Sequence, residues 1–491
     1  MSATTALPAF TGDSHALGIR GSAPATDEDF AVVLARFACE LALGDLTAPL
    51  IAAAKANIFD TLACAAAGSS APAVAEAREL AVEWAGARQA SILVFGEKIP
   101  AHHAAWVNGT MAHARDYDDT HDAAVLHAGV TVIPAALAAA ELRGGARGSD
   151  FIAGVAAGLE TICRLGVATQ IGIIESGFIY TPLFGHFAAT VAAGRVLGLG
   201  VTEMVNALGI VYSQVAGNHQ VTRDGALTKR MQPGFAAQAA LVSVQLAQRG
   251  VRGAQATFEG VDGFLRVYLR DRCDRKVLRK GLGEHYEFAQ LSYKPYPCCR
   301  FNHTAIDAAL ALRMSGVTAE RVRRIRVGVN RQAYEAVCTP VDVRKAPPTI
   351  VHAQFSIPFT VATALLDGRV ELRHFTEASI RRDDILALAQ RVDAFVDDDI
   401  EREWGRTISP AQLHVEMNDG TTHNLRVDWP LGHPQRPMST ADFDAKASDC
   451  FRASALPLSE DAPRQLRQRV NDLESLEDVR LLVRALEPAS K

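Results

Sequence analysis

Cysteine is scarce in this chain, with 8 residues among 491. Cys298 and Cys299 are adjacent, and the sequence contains no Cys-x-x-Cys pair and no Cys/His spacing typical of a zinc site or an iron–sulfur cluster. The opening residues, MSATTALPAF, lack the basic and apolar blocks of a secretory signal. The sequence therefore predicts free thiols, a reducing cytoplasmic location, and no metal or organic cofactor.

A surplus of positive charge is also missing, because 50 Lys and Arg stand against 55 Asp and Glu, for a formal net charge of −5. Nucleic-acid-binding domains usually carry a basic surplus, so we expect no nucleic-acid partner. Two uncharged runs, 123–140 and 176–194, approach the length of a membrane span. Both contain proline, histidine and glycine, and in lipid the polar groups of such a segment would lack hydrogen-bond partners. We therefore expect buried helices and no membrane partner.

Helical patterns dominate the first half of the chain. Segments rich in Ala, Val and Leu, separated by Gly-containing turns, predict helices at about 47–68, 72–86, 101–115, 130–143, 149–170, 186–197, 202–216 and 233–249. From about residue 284 the pattern changes: RVRRIRVGVN alternates as a strand does, and LHVEMNDGTTHNLRVDWP predicts a hairpin that turns at 418–420. The sequence predicts a mainly α protein with a disordered leader (1–24), a large all-helical domain (25–283), a smaller α+β domain (284–436) and C-terminal helices that pack back on the helical domain (437–491).

The stretch 108–141 combines acidic groups and imidazoles with an apolar helix. Asp116, Asp118 and Asp119 fall within four residues, and His127 follows just before the apolar run. A solvated acidic loop is the simpler interpretation of three clustered aspartates. Here, however, the charges adjoin residues that must be buried, and carboxylates beside an apolar pocket with imidazoles in reach are what proton transfer needs.

The same stretch carries a resemblance to a known family. NGTMAHARDYDDTH, followed by His127-Ala-Gly, is similar to the signature of the MmgE/PrpD family, which includes 2-methylcitrate dehydratase, cis-aconitate decarboxylase and iminodisuccinate epimerase. GALTKRMQPGFAAQAAL, YKPYPCCRFNHTAIDAAL, FSIPFTVATALLDG and GHPQRPMS also resemble family segments, in family order. The resemblance implies a helical domain made from both chain ends, an inserted α+β lid domain, and assembly as a homodimer.

The resemblance also implies roles for the residues of the acidic stretch. It places Asp116, Thr120 and His127 in the active site, although the interval before His127 is one residue longer than in the family. Asp116 and Thr120 are four residues apart, so they share a face if this segment is helical. Asp119 would then point elsewhere and could cap backbone N–H groups.

Three cations and one cysteine are the predicted substrate-holding groups. Lys229 and Arg230 alone would be read as a solvated basic pair, but a polycarboxylate needs fixed cations of these two kinds. Lys294 begins the KPYP run, whose prolines stiffen the backbone. The resemblance implies that both lysines lie at the substrate, with Lys294 as a carboxylate holder or an acid/base group. Cys299 has no evident His partner, so we expect it to line the substrate site rather than act as a nucleophile.

One segment departs from the family pattern. Phe178-Ile179-Tyr180-Thr181 stands where the dehydratases and the epimerase show Trp/Phe-His-Pro-Thr, so Ile179 replaces an active-site histidine. The loss removes the side chain best matched to proton transfer at neutral pH. Tyr180 could act as the acid instead, although an ordinary pKa of about 10 makes it a poor base. This departure argues against the standard 2-methylcitrate reaction.

Together these residues predict an enzyme that removes a proton next to a carboxylate of a di- or tricarboxylic acid. Lys229 and Lys294 would hold carboxylates while Asp116 or His127 moves the proton. Dehydration of a 2-methylcitrate-like acid comes first, because it is the commonest activity in the family. Epimerisation of a substituted succinate, cis-aconitate-like decarboxylation and a non-enzymatic dimeric scaffold stay as alternatives. We also predict that replacing Asp116 with Asn abolishes turnover and leaves the unfolding temperature nearly unchanged.

Overall fold

The first part of the chain is a layered helical bundle. A computed structural model describes residues 28–405, 407–408 and 410–488, so the predicted leader lies outside the described residues. Most helices are rich in Ala, Val and Leu, and α8 at the centre is buried on nearly every side, packed against α5, α6 and α11. The helices of this part are α1 Phe30–Glu40, α2 Ala48–Gly68, α3 Val74–Glu83, α4 Ala101–His113, α5 Gly129–Leu142, α6 Gly148–Ala168, α7 Ile173–Ser176, α8 Tyr180–Leu197, α9 Val201–Tyr212, α10 Gln220–Arg223, α11 Gln232–Gln248, α12 Phe264–Val267 and α13 Arg275–Arg279.

A close crossing of α4 and α11 brings two functional segments together. A Cβ on Gly109 of α4 would lie 2.8 Å from the Cα of Gly234 in α11, so only glycine permits this approach. The loop after α4 and the turn before α11 consequently lie side by side. Two short strand pairs complete this part: β1 Ala90–Ser91 with β2 Lys98–Ile99, and β3 Thr120–His121 with β4 Leu291–Ser292.

The next part of the chain has its own hydrophobic core, built around a four-stranded sheet. The strands lie in the order β6-β5-β7-β8; β5 and β6 are parallel and the other pairs are antiparallel. Glu416 faces Thr422 across the turn, which confirms the predicted hairpin. The elements are β5 Val322–Val329, β6 Val392–Val396, β7 Ala411–Met417, β8 Thr422–Val427, α14 His303–Met314, α15 Arg331–Val337, α16 Val341–Lys345, α17 Ile350–Gln354, α18 Ile357–Asp367, α19 Asp383–Ala389 and α20 Asp398–Trp404.

The C-terminal helices lie against the first bundle. They are α21 Thr440–Arg452, α22 Ala462–Asn471 and α23 Arg480–Arg484, and α21 packs on α2. The described chain is therefore mainly helical, which confirms the predicted class. The description of the sheet-containing part as a lid stays a prediction.

Two helices, α2 and α6, are long and apolar enough to span a membrane by length and composition alone. Within their most apolar windows, 67% of α2 and 94% of α6 are buried inside the protein, as in the core helices of a bundle. The uncharged runs at 123–140 and 176–194 are not continuous helices, because α5 begins at Gly129 and α8 at Tyr180. The expected homodimer, the absence of a membrane partner and the cytoplasmic location stay predictions.

Candidate active site

A cavity of about 550 Å³ lies between the helical bundle and the sheet-containing part. Both parts of the chain contribute to its wall, the bundle with the loop after α4 and the other part with residues that include Glu335, Arg344 and Phe355. The polar or ionisable side chains that line the cavity include His113, Asp116, Thr120, His127, Lys229, Lys294 and Cys299.

Asp116 is the point on which two lysines converge. Its backbone has φ +54°, a left-handed conformation that Asp tolerates better than most residues. Lys229 Nζ lies 2.9 Å from Oδ1, and Lys294 Nζ lies 3.5 Å from Oδ2. Lys294 also donates a 2.9 Å hydrogen bond to the backbone carbonyl of Asp116. Two cations from distant parts of the sequence therefore meet on one buried carboxylate.

The charges in this cluster stabilise one another. Burial by itself raises the pKa of Asp116, but Lys229 and Lys294, followed by the imidazoles of His127 and His113, together hold that pKa well below its usual value. Burial lowers the pKa of Lys294, and Asp116 and Asp118 outweigh this effect, so that its pKa is raised. Asp116 is thus a carboxylate and Lys294 an ammonium at neutral pH, and Asp116 is a weak base.

Asp118 holds two imidazoles and was not among the predicted site residues. Its buried Oδ2 lies 2.9 Å from His113 Nδ1 and 3.0 Å from His127 Nδ1. The other ring nitrogen of His113, Nε2, lies 3.2 Å from Lys229 Nζ. Burial, only partly opposed by Asp118, lowers the pKa of His113 to about 4, so its ring is neutral and accepts a hydrogen bond from Lys229. His113 and Asp118 flank Asp116 in the acidic stretch, and this closeness in sequence is the signal from which they could have been predicted as site residues.

His127 has one ring nitrogen that makes no hydrogen bond with a described residue. Its Nδ1 also lies 2.7 Å from the carbonyl oxygen of Asp119, and among the described residues nothing is paired with its Nε2. The side chain is 18% exposed and lines the cavity. A cavity-lining ring whose Nδ1 is fixed by an acceptor and whose Nε2 is unpaired is suited to move a proton.

Asp119 caps the helix that follows. Its carboxylate accepts hydrogen bonds from the backbone N–H groups of Ala128 and Gly129, at 2.9 and 3.0 Å. A Cβ on Gly129 would lie 2.8 Å from Asp119 Oδ1, so the capping contact needs glycine there. The expected capping role of Asp119 is confirmed.

Thr120 reaches the cavity by a different route from the one expected. The segment is not helical: Thr120 belongs to β3 and pairs with Ser292 of β4, so the shared helical face is wrong. Thr120 and Asp116 nevertheless both line the cavity. The strand pairing also brings the chain leading into Lys294 next to the acidic stretch.

Two predicted residues are not brought to this cavity. The Tyr180 hydroxyl donates a hydrogen bond to the Ile171 carbonyl, and the residue is absent from the described cavity wall, so the prediction of a catalytic acid there is corrected. Arg230 is 7% exposed and lines a separate cavity. Residues 227–230 form a 3₁₀ turn, in which consecutive side chains point about 120° apart, so Lys229 and Arg230 diverge. Ile179 does line the main cavity.

Cys299 also lines the cavity, and it is a thiol rather than a thiolate. Burial, followed by the nearby Asp116 carboxylate, raises the pKa of Cys299 to about 11. Burial also raises the pKa of its neighbour Cys298. Neither residue is therefore charged at neutral pH, which agrees with a cavity-lining position and not with a nucleophile.

A third lysine supports the acidic stretch from the C-terminal part of the chain. Lys446 of α21 is buried, and its Nζ lies 2.5 Å from Asp60 Oδ1 of α2 and 2.7 Å from the backbone carbonyl of Tyr117. It fixes the backbone between Asp116 and Asp118 without lining the cavity wall. Lys446 and Tyr117 are 329 residues apart, so no local pattern could have indicated this contact.

One group of side chains has the composition of a metal site. His113, Asp118 and His127 offer ligand atoms within 4.8 Å of one another. The Nδ1 atoms of His113 and His127 already lie within hydrogen-bonding distance of the same Asp118 oxygen. The Lys229 ammonium lies 3.2 Å from Nε2 of His113. A divalent cation would displace these hydrogen bonds and meet repulsion from that ammonium, so the group fits a hydrogen-bonded network better than a metal site.

Comparisons with known proteins cover most of the chain. The MmgE/PrpD N-terminal domain matches residues 32–275, and the MmgE/PrpD C-terminal domain matches residues 296–473. The chain is 26% identical to a cis-aconitate decarboxylase of Aspergillus terreus over 418 residues, which is 81% of this chain and 84% of the relative. It is 26% identical to the cis-aconitate decarboxylase-like protein oryM of Aspergillus oryzae over 81% of this chain and 86% of that protein. It is 27% identical to human cis-aconitate decarboxylase over 92% of this chain and 93% of the human protein.

Proposed function

Because the chain belongs to the MmgE/PrpD family, we propose that it is a lyase that decarboxylates an unsaturated tricarboxylic acid similar to cis-aconitate. The family and the relatives named above support a lyase. The observation that carries the proposal is the convergence of Lys229 and Lys294 on Asp116, beside an imidazole held by Asp118. This arrangement can bind carboxylates and exchange one proton in the same cavity.

The two lysines are suited to hold the substrate carboxylates. An ammonium has three N–H donors, and those of Lys229 reach Asp116 and His113, which leaves one for a ligand. Lys294 donates to the Asp116 carbonyl and lies near its carboxylate, and it also lines the cavity. Because Asp116 fixes both ammoniums in advance, little reorganisation is needed when the anionic substrate arrives.

The proposed reaction breaks one carbon–carbon bond and forms one carbon–hydrogen bond. One carboxylate leaves as carbon dioxide, and the electron pair of the broken bond passes through the neighbouring double bond to a carbon next to a retained carboxylate. His127 Nε2 delivers a proton to that carbon, and Lys229 and Lys294 stabilise the negative charge that builds up before the proton arrives. The Asp118 carboxylate stabilises the charge that the His127 ring carries before the transfer.

The apolar side of the cavity favours carbon dioxide loss over water loss. Elimination of hydroxide needs a proton donor at the leaving oxygen, and Ile179 stands where the dehydratases carry histidine. A carboxylate that leaves as carbon dioxide loses its charge, and apolar surroundings favour that change. The wall that supplies them includes Ile173, Ile174, Ile179, Phe355 and Ile408. For this reason we place decarboxylation, and not dehydration of a 2-methylcitrate-like acid, first among the candidate reactions.

Incubation with cis-aconitate, citrate, 2-methylcitrate and substituted succinates in D₂O, followed by NMR, tests the function. We expect one acid of the cis-aconitate type to lose one carboxyl carbon and to gain one deuterium at carbon. His127→Gln serves as the matched inactive protein. Loss of water without carbon dioxide would establish a hydro-lyase, and exchange of deuterium without net change would establish an epimerase. No change in any acid would leave the scaffold alternative and overturn the proposal.

Removal of metal ions should leave the reaction intact, because the proposed steps use only side chains of this chain. We expect prolonged dialysis against EDTA to change the initial rate by less than about twofold. The measurement is the rate of product formation before and after dialysis, with the metal content determined in parallel. If the rate is lost on dialysis and added Zn²⁺ or Mg²⁺ restores it, a metal would be assigned to the group formed by His113, Asp118 and His127.

A further inference from the structure

A second cavity lies next to the candidate active site, and consecutive residues divide between the two. Asp116 and Lys229 line the main cavity, whereas their chain neighbours Arg115 and Arg230 line a separate space of about 270 Å³. Its far wall comes from the sheet-containing part, including residues 349–351 and Gln354. The second cavity therefore also lies between the two parts of the chain, and it presents two guanidinium groups.

Arg230 is largely buried and forms no ion pair with a described residue. The residue is 7% exposed, and within the described residues its guanidinium makes no hydrogen bond, ion pair or stacking contact. Burial, reinforced by the neighbouring Arg115 and only partly opposed by the Asp116 carboxylate, lowers the pKa of Arg230 to about 10. A largely buried guanidinium with no protein acceptor is less favourable than a paired one, because burial removes part of its hydration and no hydrogen bond replaces what is lost. An anion in the cavity would supply what is missing.

Arg115 is held so that it can share that anion. Its Nε donates to the Ala67 carbonyl at 3.1 Å and its Nη2 donates to Ser70 Oγ at 2.7 Å, which fixes the plane of the guanidinium. Nη1 has no partner among the residues that the structure describes. Glu377 is the acidic residue of the described cavity wall; its side chain is 68% exposed and lies 3.4 Å from Arg381. It pairs with Arg381 at the surface, and among the described residues neither Arg115 nor Arg230 forms an ion pair with a carboxylate.

We propose that this cavity binds a small oxyanion, a carboxylate or a phosphate, between Arg115 and Arg230. Planar guanidinium groups match the oxygen geometry of both ligand types, and the volume accommodates either. The site is separate from the candidate active site and does not depend on the reaction proposed there.

Gln354 connects the second cavity to the segment that carries Lys294. Its Nε2 donates to the Arg115 carbonyl at 2.8 Å and to the Pro297 carbonyl at 3.0 Å, and its own backbone carbonyl accepts from the Cys299 N–H at 2.9 Å. An anion on the two arginines would therefore strengthen the contact between the bundle and the sheet-containing part directly beside the candidate active site.

Thermal unfolding of the full chain and of Arg230→Met, with and without anion, tests the proposal. In low-salt Hepes without phosphate we expect Arg230→Met to unfold at the same temperature as the wild type or higher, because the variant removes an unpaired buried cation. Inorganic phosphate and malonate are then titrated separately. An anion that binds only the folded protein raises the unfolding temperature of the wild type. We expect that rise to shrink in Arg230→Met, with apparent affinity about tenfold weaker or more.

The two titrations distinguish the ligand types, and a control variant excludes a general effect of charge. The anion with the larger Arg230-dependent shift identifies the preferred chemistry. Arg373→Met, which removes an arginine with a 55% exposed side chain, should respond to both anions as the wild type does. An Arg230→Met protein that unfolds at a lower temperature without anion, or that responds to both anions as strongly as the wild type, would overturn the proposal.

Discussion

Asp116→Asn should lower kcat by about two to three orders of magnitude and should also lower the unfolding temperature. The neutral amide no longer balances the ammoniums of Lys229 and Lys294, so both lose the charged partner that orients them for a substrate carboxylate. Lys294 is completely buried and loses its carboxylate partner. We expect a loss of about 3 kcal/mol in the free energy of unfolding, because Lys294 keeps its hydrogen bond to the backbone carbonyl of residue 116.

Asp271→Asn is the matched control for this variant. Asp271 also has a left-handed backbone, with φ +57°, but its side chain is 53% exposed and pairs with Arg275 at the surface. Asn tolerates that backbone as well as Asp does, so the control should keep both kcat and the unfolding temperature. The sequence predicted an unchanged unfolding temperature for Asp116→Asn, and the burial of Lys294 is the reason to revise that expectation. Normal turnover by Asp116→Asn would remove the carboxylate from the mechanism.

His127→Gln should lower kcat by about two to four orders of magnitude with little change in KM. The amide can donate to Asp118 as the ring does, but it cannot exchange a proton with a carbon atom at neutral pH. Lys229 and Lys294 are untouched and continue to bind the carboxylates. Steady-state kinetics gives kcat and KM, and thermal unfolding checks that the fold is retained.

His121→Gln provides the opposite pattern. His121 is buried, its Nε2 lies 3.2 Å from the Glu287 carbonyl, and its Nδ1 accepts from the Ala124 N–H at 3.2 Å. Both ring nitrogens are used within the fold, so this variant should unfold at a lower temperature and keep kcat per folded molecule within a few fold. Equal kinetic losses in His121→Gln and His127→Gln would show that the region acts through its packing and not through proton transfer at His127.

Asp116→Asn and His127→Gln together test whether Asp116 or His127 moves the proton, which the sequence left open. The lysines hold the pKa of Asp116 well below its usual value, which makes it a poor proton acceptor. His127 lines the cavity, with one ring nitrogen near Asp118 and the other unpaired among the described residues. Asp116 therefore organises the cations, and His127 is the group that we propose for proton transfer.

The sequence by itself determined the helices, the hairpin and the family. Helical periodicity and Gly-containing turns are local signals, and they placed α4, α6 and α11 within a few residues of their observed ends. Asn-Asp-Gly at 418–420 fixed the hairpin for the same reason. The family segments identified Asp116, His127, Lys229, Lys294 and Cys299, all of which line one cavity.

Only the tertiary structure decided which side chains meet. Lys229 and Lys294 lie 113 and 178 residues from Asp116, and Lys446 lies 329 residues from Tyr117, so their contacts leave no trace in local periodicity. Side-chain direction depended on backbone details of single residues: the left-handed turn at Asp116 aims its carboxylate at both lysines. The 3₁₀ turn at 227–230 sends Lys229 and Arg230 into different cavities, because its tight winding separates the directions of neighbouring side chains.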